Sequence, residues 1–466
     1  MVNEFEINRI LEQAVSTGGD FAELFLEDRE ESNIRSQKGC IQGVKTIRIY
    51  GAGIHILSGT ESVYVYTNKC SYDDLMKAAV TGSRMIGKSG LKAEKGIIRN
   101  ISIEGLKTPA TPIPIILEPG RVETARKLRV MEQARKAALS TVHPLRQMDV
   151  DYFDTDQRII VANTEGLHVS DRRTTGRLRM QVTVGDGAES FYNWEDYVKA
   201  QGFEAFLMDE EYEAFARDLT ERTWNMMKAV PAPSCTVPVV LERGGCGTLW
   251  HESCGHSLEA SAIVSGTSAF AGKIGEMVAS PKVTLLDDGT IPGLYGSSAI
   301  DDEGHPRQQN VLIENGVLKQ YLCDRLHGRM LNMESNGCGR RQNYTYAPTS
   351  RMSNTYLAPG EDDEKEMIRS IPEGLYVKTI GGGTGGMQFS LEVKEGYWIK
   401  NGQIDHQVKG MMLTGNGIDV IKNIDRVGKC LKPEMGGFCG AASGLVPTTS
   451  FQPRVRISHM NIGGSV

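Results

Sequence analysis

Residues 44–68 read VKTIRIYGAGIHILSGTESVYVYTN and contain two strand-like runs. β-Branched and aromatic residues dominate both runs, and a Ser-Gly turn separates them. Another run of this kind, FAELFLED at 21–28, comes just before them in the chain. This part of the sequence is therefore predicted to form successive strands joined by short turns.

Helices and strands do not alternate strictly along the rest of the chain. Apolar periodicity predicts helices at 3–16, 73–87, 121–139 and 204–229, and further strands at 157–171 and 177–187. Because strands and helices occur in separate runs, this order favours an α+β fold over a doubly wound parallel sheet.

The proline-containing stretch PAPS at 231–234 predicts a domain boundary. We expect an N-terminal domain of mixed helices and strands at 1–230, followed by a β-dominated C-terminal domain at 231–466. Short strands and glycine turns prevail in the second half, where helices are expected only around 247–263 and from Asp363.

The composition indicates a soluble, cytoplasmic protein. Of its 466 residues, 40% are hydrophobic and 24% charged, and the net charge of −6 gives no general attraction for nucleic acid. The N-terminal segment lacks the pattern of a secretory signal, and no apolar stretch has the length of a membrane-spanning helix. Nine cysteines, an odd number, fit a reduced compartment better than a disulfide framework.

The stretch LWHESCGHSLEA at 249–260 differs by one added residue from H-E-x-x-H, a zinc-peptidase signature. His251 and His256 are five positions apart, so an ideal α-helix would place them about 140° out of line. Either a π-bulge or a helix break at Gly255 would bring the two rings together. Two neutral imidazoles could then bind Zn²⁺ while Glu252 faces the open position as a general base. The alternative is an ordinary helix with two structural histidines.

A catalytic zinc site usually has three protein ligands, and the motif does not identify the third. Glu259 could be a ligand or could orient an imidazole, and Cys254 could be a ligand or a small buried thiol. Outside the motif, the glycines of GGFCG favour Cys439, because they allow the backbone of a thiolate ligand to approach closely. Apart from these glycines, the residues alone do not separate Cys430 from Cys439. Cys246 could be a ligand or a small buried thiol, and His305 and His406 are weaker candidates.

Several stretches of the second half are similar to the TldD/PmbA family, whose members were once described as modulators of DNA gyrase and are regarded as metallopeptidases. The similarity is carried by HESCGHSLEA from 251, AIDDEGHPRQQNVLIENGVLKQYLCDR from 299, GRRQNYTYAPTSRMSNTYLAPG from 339, GLYVKTIGGGTGG from 374, VKGMMLTGNG from 408 and GGFCG from 436. The first half resembles the family more loosely, so the likeness covers essentially the whole chain. The H-E-x-x-x-H pattern is that of the TldD branch, since the PmbA (TldE) branch lacks it.

The resemblance implies zinc bound by His251, His256 and Cys439, with Glu252 as the catalytic base. It also implies a dimer that encloses the active site, either a homodimer or a heterodimer with a PmbA/TldE-type protein. Many TldD-type proteins continue the cysteine as C-G-K-D-G-Q, whereas this chain reads CGAASG. We therefore expect different substrate contacts near Cys439.

Two further patterns have competing interpretations. GGGTGG at 381–386 matches G-x-G-x-x-G, but the strand-like MQFSLEV follows it in place of a helix, so nucleotide binding is rejected. These glycines could form a plain turn, or they could give an extended peptide backbone room beside a sheet edge. Arg340 and Arg341 could hold a substrate carboxylate, although salt bridges within the protein are the more common use of such residues.

Asp301, Asp302 and Glu303 precede a Gly and a Pro and are assigned to a polar turn without an ion. The function predicted from the whole sequence is that of a zinc metallopeptidase, which hydrolyses unfolded or small peptides through a zinc-bound water activated by Glu252. One alternative is a noncatalytic protein that modulates a partner and carries a structural zinc. Another is a zinc amidase that acts on nonpeptide amides.

Overall fold

The computed structural model describes residues 2–87, 99, 106–386, 388–433 and 436–464. Strand residues outnumber helical residues, so the predicted mixture of helices and strands is confirmed, with strands dominating. Within these ranges no helix is long and apolar enough to cross a membrane.

A six-stranded antiparallel sheet forms the scaffold of the first half. Its strands are β1 (Phe21–Gln37), β2 (Cys40–Ser58), β3 (Glu61–Thr67), β4 (Leu145–Asn163), β5 (His168–Asp186) and β6 (Glu189–Lys199). They lie in the spatial order β3-β2-β1-β4-β5-β6. The helices are α1 (Glu4–Ala14), α2 (Tyr72–Ile86), α3 (Thr124–Leu139) and α4 (Asp209–Lys228).

Apolar faces attach these helices to the sheet in two groups. Helices α1 and α2 contact the β1–β3 part, where Ile10 and Leu75 are buried in one cluster with Ile54. Helices α3 and α4 contact the β4–β6 part, where Tyr152 and Tyr212 share a second cluster. The four predicted helices of this half are therefore confirmed, because their periodic apolar positions face the sheet.

The strands of this half are longer and more numerous than predicted. Residues 29–37 are polar except for the buried Ile34, yet they stay in β1 because β2 and β4 hydrogen-bond to it from both sides over most of that length. Strand β6, ESFYNWEDYVK, was not predicted. Only Asn193, Tyr197 and Val198 of β6 are buried, so its sequence lacks a regular apolar alternation.

The second half is built from short strands and short helices. The strands are β7 (Val230–Pro231), β8 (Cys235–Leu241), β9 (Leu285–Asp288), β10 (Gln309–Glu314), β11 (Val317–Leu318), β12 (Gly339–Arg340), β13 (Thr349–Ser350), β14 (Asn354–Leu357), β15 (Glu373–Thr384), β16 (Gln388–Lys400), β17 (Gln403–Lys409), β18 (Met411–Asn416), β19 (Ile424–Val427), β20 (Gly437–Ala441), β21 (Gly444–Phe451) and β22 (Val455–Gly464). The helices are α5 (Thr248–Trp250), α6 (Ala260–Val264), α7 (Arg325–Leu331), α8 (Glu364–Arg369) and α9 (Gly417–Lys422).

Most of these strands pair into two sheets. One sheet has the order β11-β10-β9-β14-β21-β20, which leaves β20 at an edge. The other has the order β15-β8-β22-β18-β16-β17-β7, and a further pairing of β15 with β16 closes a ring of five strands. The predicted helices around 247–263 and from Asp363 are present, whereas α7 and α9 were missed because they are only six or seven residues long and contain glycine.

The segment from α5 to α6 packs between these two sheets. It contacts β14 and β21 of the first sheet and β15 and β16 of the second. Trp250 anchors the segment, because its side chain is fully buried and its indole N–H donates to Gln452 Oε1. The motif at 249–260 is therefore held inside the fold.

The turn at 301–303 lies between the two halves of the chain. The sequence predicted a polar turn, and a turn is present, but all three acidic side chains are at most 2% exposed. Arg173 of β5 pairs with Asp302 at 2.6 Å, and the Arg325 backbone N–H donates to Glu303. The interior tolerates these side chains because Arg173 pairs with Asp302 and backbone N–H groups donate to all three of them.

Candidate metal centre

The two motif histidines lie on a π-helical turn that spans 251–255. The His256 backbone N–H donates to the His251 carbonyl oxygen, five residues back, so one extra residue fits into the turn. The two ring centroids are 5.0 Å apart and the ring planes are nearly perpendicular at 85°. Of the two backbones considered for this motif, the structure shows the π-bulge.

Gly255 does not break the helix, because its φ of −57° and ψ of −53° are helical. It serves a packing role instead: a Cβ at this position would overlap the sulfur of Met352. The backbone leaves the helical region only at Glu259, whose φ is −70° and ψ is 130°. The glycine is therefore explained by close packing of the π turn against the chain that follows β13.

Cys439 lies on the edge strand β20 and its side chain points inward. Its Sγ is 3.2 Å from His256 Nε2, although 183 residues separate the two in sequence. One donor atom from each of His251, His256 and Cys439 lies within 4.8 Å of the other two. In the described ranges, this is the one group of three or more such side chains close enough to share an ion.

Burial makes the two imidazoles electrostatically different. It lowers the pKa of His251 well below its ordinary value, and the nearby His256, Arg351 and Arg340 add to this effect, so His251 is neutral. Burial also opposes charge on His256, but Glu259 and Cys439 outweigh it and raise the pKa of His256 to about 11. Glu259 and Cys439 therefore favour positive charge at the His256 ring.

Two glutamates flank the donor atoms. Glu259 is buried, and its Oε2 lies 3.2 Å from His256 Nδ1, which directs Nε2 towards Cys439. Glu252 Oε2 lies 3.9 Å from His256 Nε2 on the more open side, where one fifth of the Glu252 side chain is exposed. Burial raises the pKa of Glu252 above its ordinary value, so this carboxylate is a stronger base than a free one.

Arg351 connects the backbone of Cys439 with Glu259, and it was not identified from the sequence. Its guanidinium is almost fully buried and donates to the carbonyl oxygens of Cys439 at 2.6 Å and Gly444 at 2.8 Å. Its Nε lies 3.7 Å from Glu259 Oε1. No pattern distinguishes this arginine from others in the sequence, because its role depends on strands that are distant along the chain.

The glycine stretch at 381–386 lies against Glu252. Strand β15 is irregular here, with a shift of register towards β16 between Ile380 and Gly383. The Gly386 N–H donates to the Glu252 carbonyl oxygen at 2.9 Å, and a Cβ on Gly385 would overlap the Glu252 carboxylate. The predicted strand that follows is present as β16 from Gln388, while Met387 lies outside the described residues.

The remaining ligand candidates lie apart from the three-donor group. Cys254 is buried, and burial raises the pKa of its thiol to about 12. Cys246 is buried with its sulfur near the Val377 carbonyl oxygen. Cys430 and His406 lie at the surface, and His305 lies beside Arg325.

The donor set fits zinc. Two imidazoles and a thiolate are common zinc ligands, and tetrahedral bonds of about 2.0 Å to nitrogen and 2.3 Å to sulfur would place those two atoms about 3.5 Å apart. The observed 3.2 Å between His256 Nε2 and Cys439 Sγ is close to that spacing. Glu252 is adjacent to the set, on the side where a fourth ligand would bind.

Sequence profiles of three consecutive domains match the chain. They are PmbA/TldA metallopeptidase domain 1 at residues 22–85, the central domain at 117–226 and the C-terminal domain at 234–464. A Buchnera aphidicola protein named Metalloprotease TldD homolog is 29% identical, with 100% of this chain and 97% of that protein aligned. A Methanothermobacter thermautotrophicus protein named Metalloprotease is 31% identical over 96% of each chain.

Two more proteins extend the comparison. A Saccharolobus solfataricus protein named Zinc metalloprotease TldD homolog is 25% identical, with 70% of this chain and 74% of that protein aligned. The crystal structure of TldE from Thermococcus kodakarensis has a TM-score of 0.74 at 17% identity, covering 98% of this chain and 100% of that one, which shows a shared fold. With the domain profiles and the full-length relatives, these likenesses show that the chain belongs to the TldD/PmbA family of metallopeptidases.

Proposed function

We propose that this protein is a zinc-dependent peptidase that hydrolyses unfolded or small peptides. The observation that carries the proposal is the group formed by His251, His256 and Cys439, with Glu252 beside it. The name of the Saccharolobus relative supports zinc as the metal. Three protein donors leave a coordination position for the reaction, whereas a structural zinc site usually has four.

Each residue of the site has a distinct task in this proposal. His251 and His256 offer imidazole nitrogens and Cys439 a thiolate to the ion, and Glu259 keeps His256 in the orientation that ligation needs. When bound, zinc would supply a Lewis acid that polarises the scissile carbonyl and lowers the pKa of water. Glu252 would accept the proton released during the attack and later transfer it to the departing amine.

A cavity of about 740 Å³ between the two halves of the chain could receive the peptide. Strand β15, which runs into the glycine stretch, contributes Thr379, and Gly436 lies three residues before Cys439, while none of the described residues that line the cavity belongs to the metal centre. Its size suits an extended segment of a few residues and excludes a folded domain. The glycine stretch at 381–386 lies against Glu252, and its lack of side chains leaves room for a peptide backbone beside the proposed base.

The proposal includes a dimer, either a homodimer or a heterodimer with a PmbA/TldE-type protein. The fold shared with TldE of Thermococcus kodakarensis supports such a pairing between similar chains. Light scattering on the protein alone, and on a mixture with a PmbA/TldE-type protein from the same cell, would distinguish the two assemblies. A monomer under both conditions would contradict this part of the proposal.

Substitution Glu252→Gln tests the catalytic role. We expect kcat on a quenched peptide to fall at least 100-fold, because the amide cannot accept the proton, while bound zinc stays at one per chain. Glu366→Gln, at a half-exposed position of α8, is the matched control and should keep full activity. Undiminished cleavage by zinc-loaded Glu252→Gln would contradict the role of Glu252 as the base.

A further inference from the structure

Arg340 of β12 is a buried cation without a carboxylate partner. Only 8% of the residue is exposed. It donates one hydrogen bond, from Nη1 to the Met352 carbonyl oxygen at 2.6 Å. Within the described part of the chain, no carboxylate oxygen lies within the 4.0 Å ion-pair distance of its guanidinium.

The neighbouring arginines form ion pairs with carboxylates, whereas Arg340 forms none with the described residues. Arg341 pairs with Glu23, and Arg173 pairs with Asp171 and Asp302. Burial lowers the pKa of Arg340 to about 9; the positive charges of nearby arginines add to this effect, and the more distant Asp302 opposes it only in part. An arginine in such a setting is normally neutralised by an anion, because an unpaired buried charge is costly.

The guanidinium faces a cavity of about 120 Å³. A cavity of this volume has room for a carboxylate with one or two methylene groups. Four arginines and two acids line it, namely Arg29, Arg173, Arg340, Arg341, Glu31 and Asp302. Its charged lining is therefore net positive, and Arg340 is the cation in it that has no carboxylate partner.

The cavity adjoins the metal centre. Phe438 and Val446 line it, and they are respectively the chain neighbour and the cross-strand partner of Cys439. On the other side, Arg340 donates to the Met352 carbonyl oxygen, and the Met352 sulfur packs against Gly255 of the π turn. A group bound by Arg340 would therefore lie next to the strand and the turn that hold the proposed metal ligands.

We propose that Arg340 binds a carboxylate of the peptide substrate and makes the enzyme selective for peptides that carry one near the cleaved bond. This inference rests on the proposed peptidase function. The carboxylate could be the C-terminus of the peptide or the side chain of an aspartate or glutamate, because a guanidinium recognises both through paired hydrogen bonds.

The test uses alanine-based hexapeptides that differ in one carboxylate. One pair has a free or an amidated C-terminus, and further pairs carry glutamate or glutamine at each position of the amidated peptide. Binding is measured by calorimetry on zinc-loaded Glu252→Gln, which needs no cleavage, and kcat/KM on the wild type. We expect one carboxylate peptide to exceed its neutral partner about 10- to 100-fold in both measurements. The pair that shows the preference identifies the source of the carboxylate.

Substitutions at Arg340 separate recognition from folding. With Arg340→Gln the ratio of kcat/KM between the carboxylate and the neutral peptide should fall below threefold, whatever the change in the absolute values, and Arg340→Lys should retain part of the preference because it keeps the charge. The control Arg369→Gln, at an exposed position of α8, should retain the full preference. Equal binding of every pair by the protein with Arg340 intact would overturn the inference even if no Arg340 variant folds, as would an unchanged preference in Arg340→Gln. Selective binding without cleavage by the wild type would support Arg340 and contradict the peptidase function instead.

Discussion

Substitution Gly385→Ala should disable the proposed base without touching a metal ligand. A Cβ on Gly385 would overlap the Glu252 carboxylate and would lie 2.5 Å from the Glu252 carbonyl oxygen, whereas real Cβ contacts essentially never fall below 3.0 Å. The backbone of Glu252 is held within the buried π turn, so the carboxylate and the glycine loop must move apart by about 1 Å. Displacement of a catalytic group by this distance costs on the order of 100-fold in rate.

The same glycine stretch supplies a matched control. Gly382 lies near the end of β15, three residues before Gly385, and a Cβ there would meet nothing within 4 Å. We expect kcat/KM on a quenched peptide to fall about 100-fold in Gly385→Ala and less than twofold in Gly382→Ala, with one zinc per chain in both by atomic absorption. Full activity of a folded, zinc-loaded Gly385→Ala, or an equal loss in Gly382→Ala, would refute this account of the loop.

Two further predictions concern the support of the site and the buried acids. Arg351→Met should lower zinc affinity about 10- to 100-fold in a competition with a chromophoric chelator, because it removes the donors that hold the Cys439 backbone; an affinity equal to that of Arg369→Met would argue against this role. Burial, together with Asp324, Glu23 and Asp301, raises the pKa of Glu303, so its contribution to stability is present at low pH and is lost as pH rises from about 4.5 towards the raised value. As pH rises from 5 to 8, the free energy of unfolding of Glu303→Gln should therefore increase relative to that of the wild type, by up to about 1.4 kcal/mol per pH unit in calorimetry. A difference that does not change with pH would contradict this.

The sequence correctly predicted the structural elements that depend on a local residue pattern. Apolar periodicity predicted the four helices of the first half, because each packs one face on the sheet. The five-residue spacing of the histidines left two possible backbone conformations for the motif, a π-bulge or a helix break. The choice of the π turn depends on tertiary contacts. The close approach of Met352 to Gly255 is one of these, and it cannot be seen in the motif.

Long-range contacts explain what the sequence could not supply. Cys430 and Cys439 are nine residues apart, and only the pairing of β20 with β21 turns one sulfur towards His256 and leaves the other at the surface. The role of Arg351 and the different environments of Arg340 and Arg341 arise in the same way. The domain boundary near residue 230 stays a prediction.

X-ray absorption at the zinc edge of the loaded protein tests the central claim most directly. The account predicts one sulfur at about 2.3 Å and two imidazole nitrogens at about 2.0 Å, with a light-atom ligand completing the shell. The sulfur shell should disappear in Cys439→Ser and persist in Cys430→Ser. A spectrum without sulfur in the active wild-type protein, or one unchanged by Cys439→Ser, would contradict a centre formed by His251, His256 and Cys439.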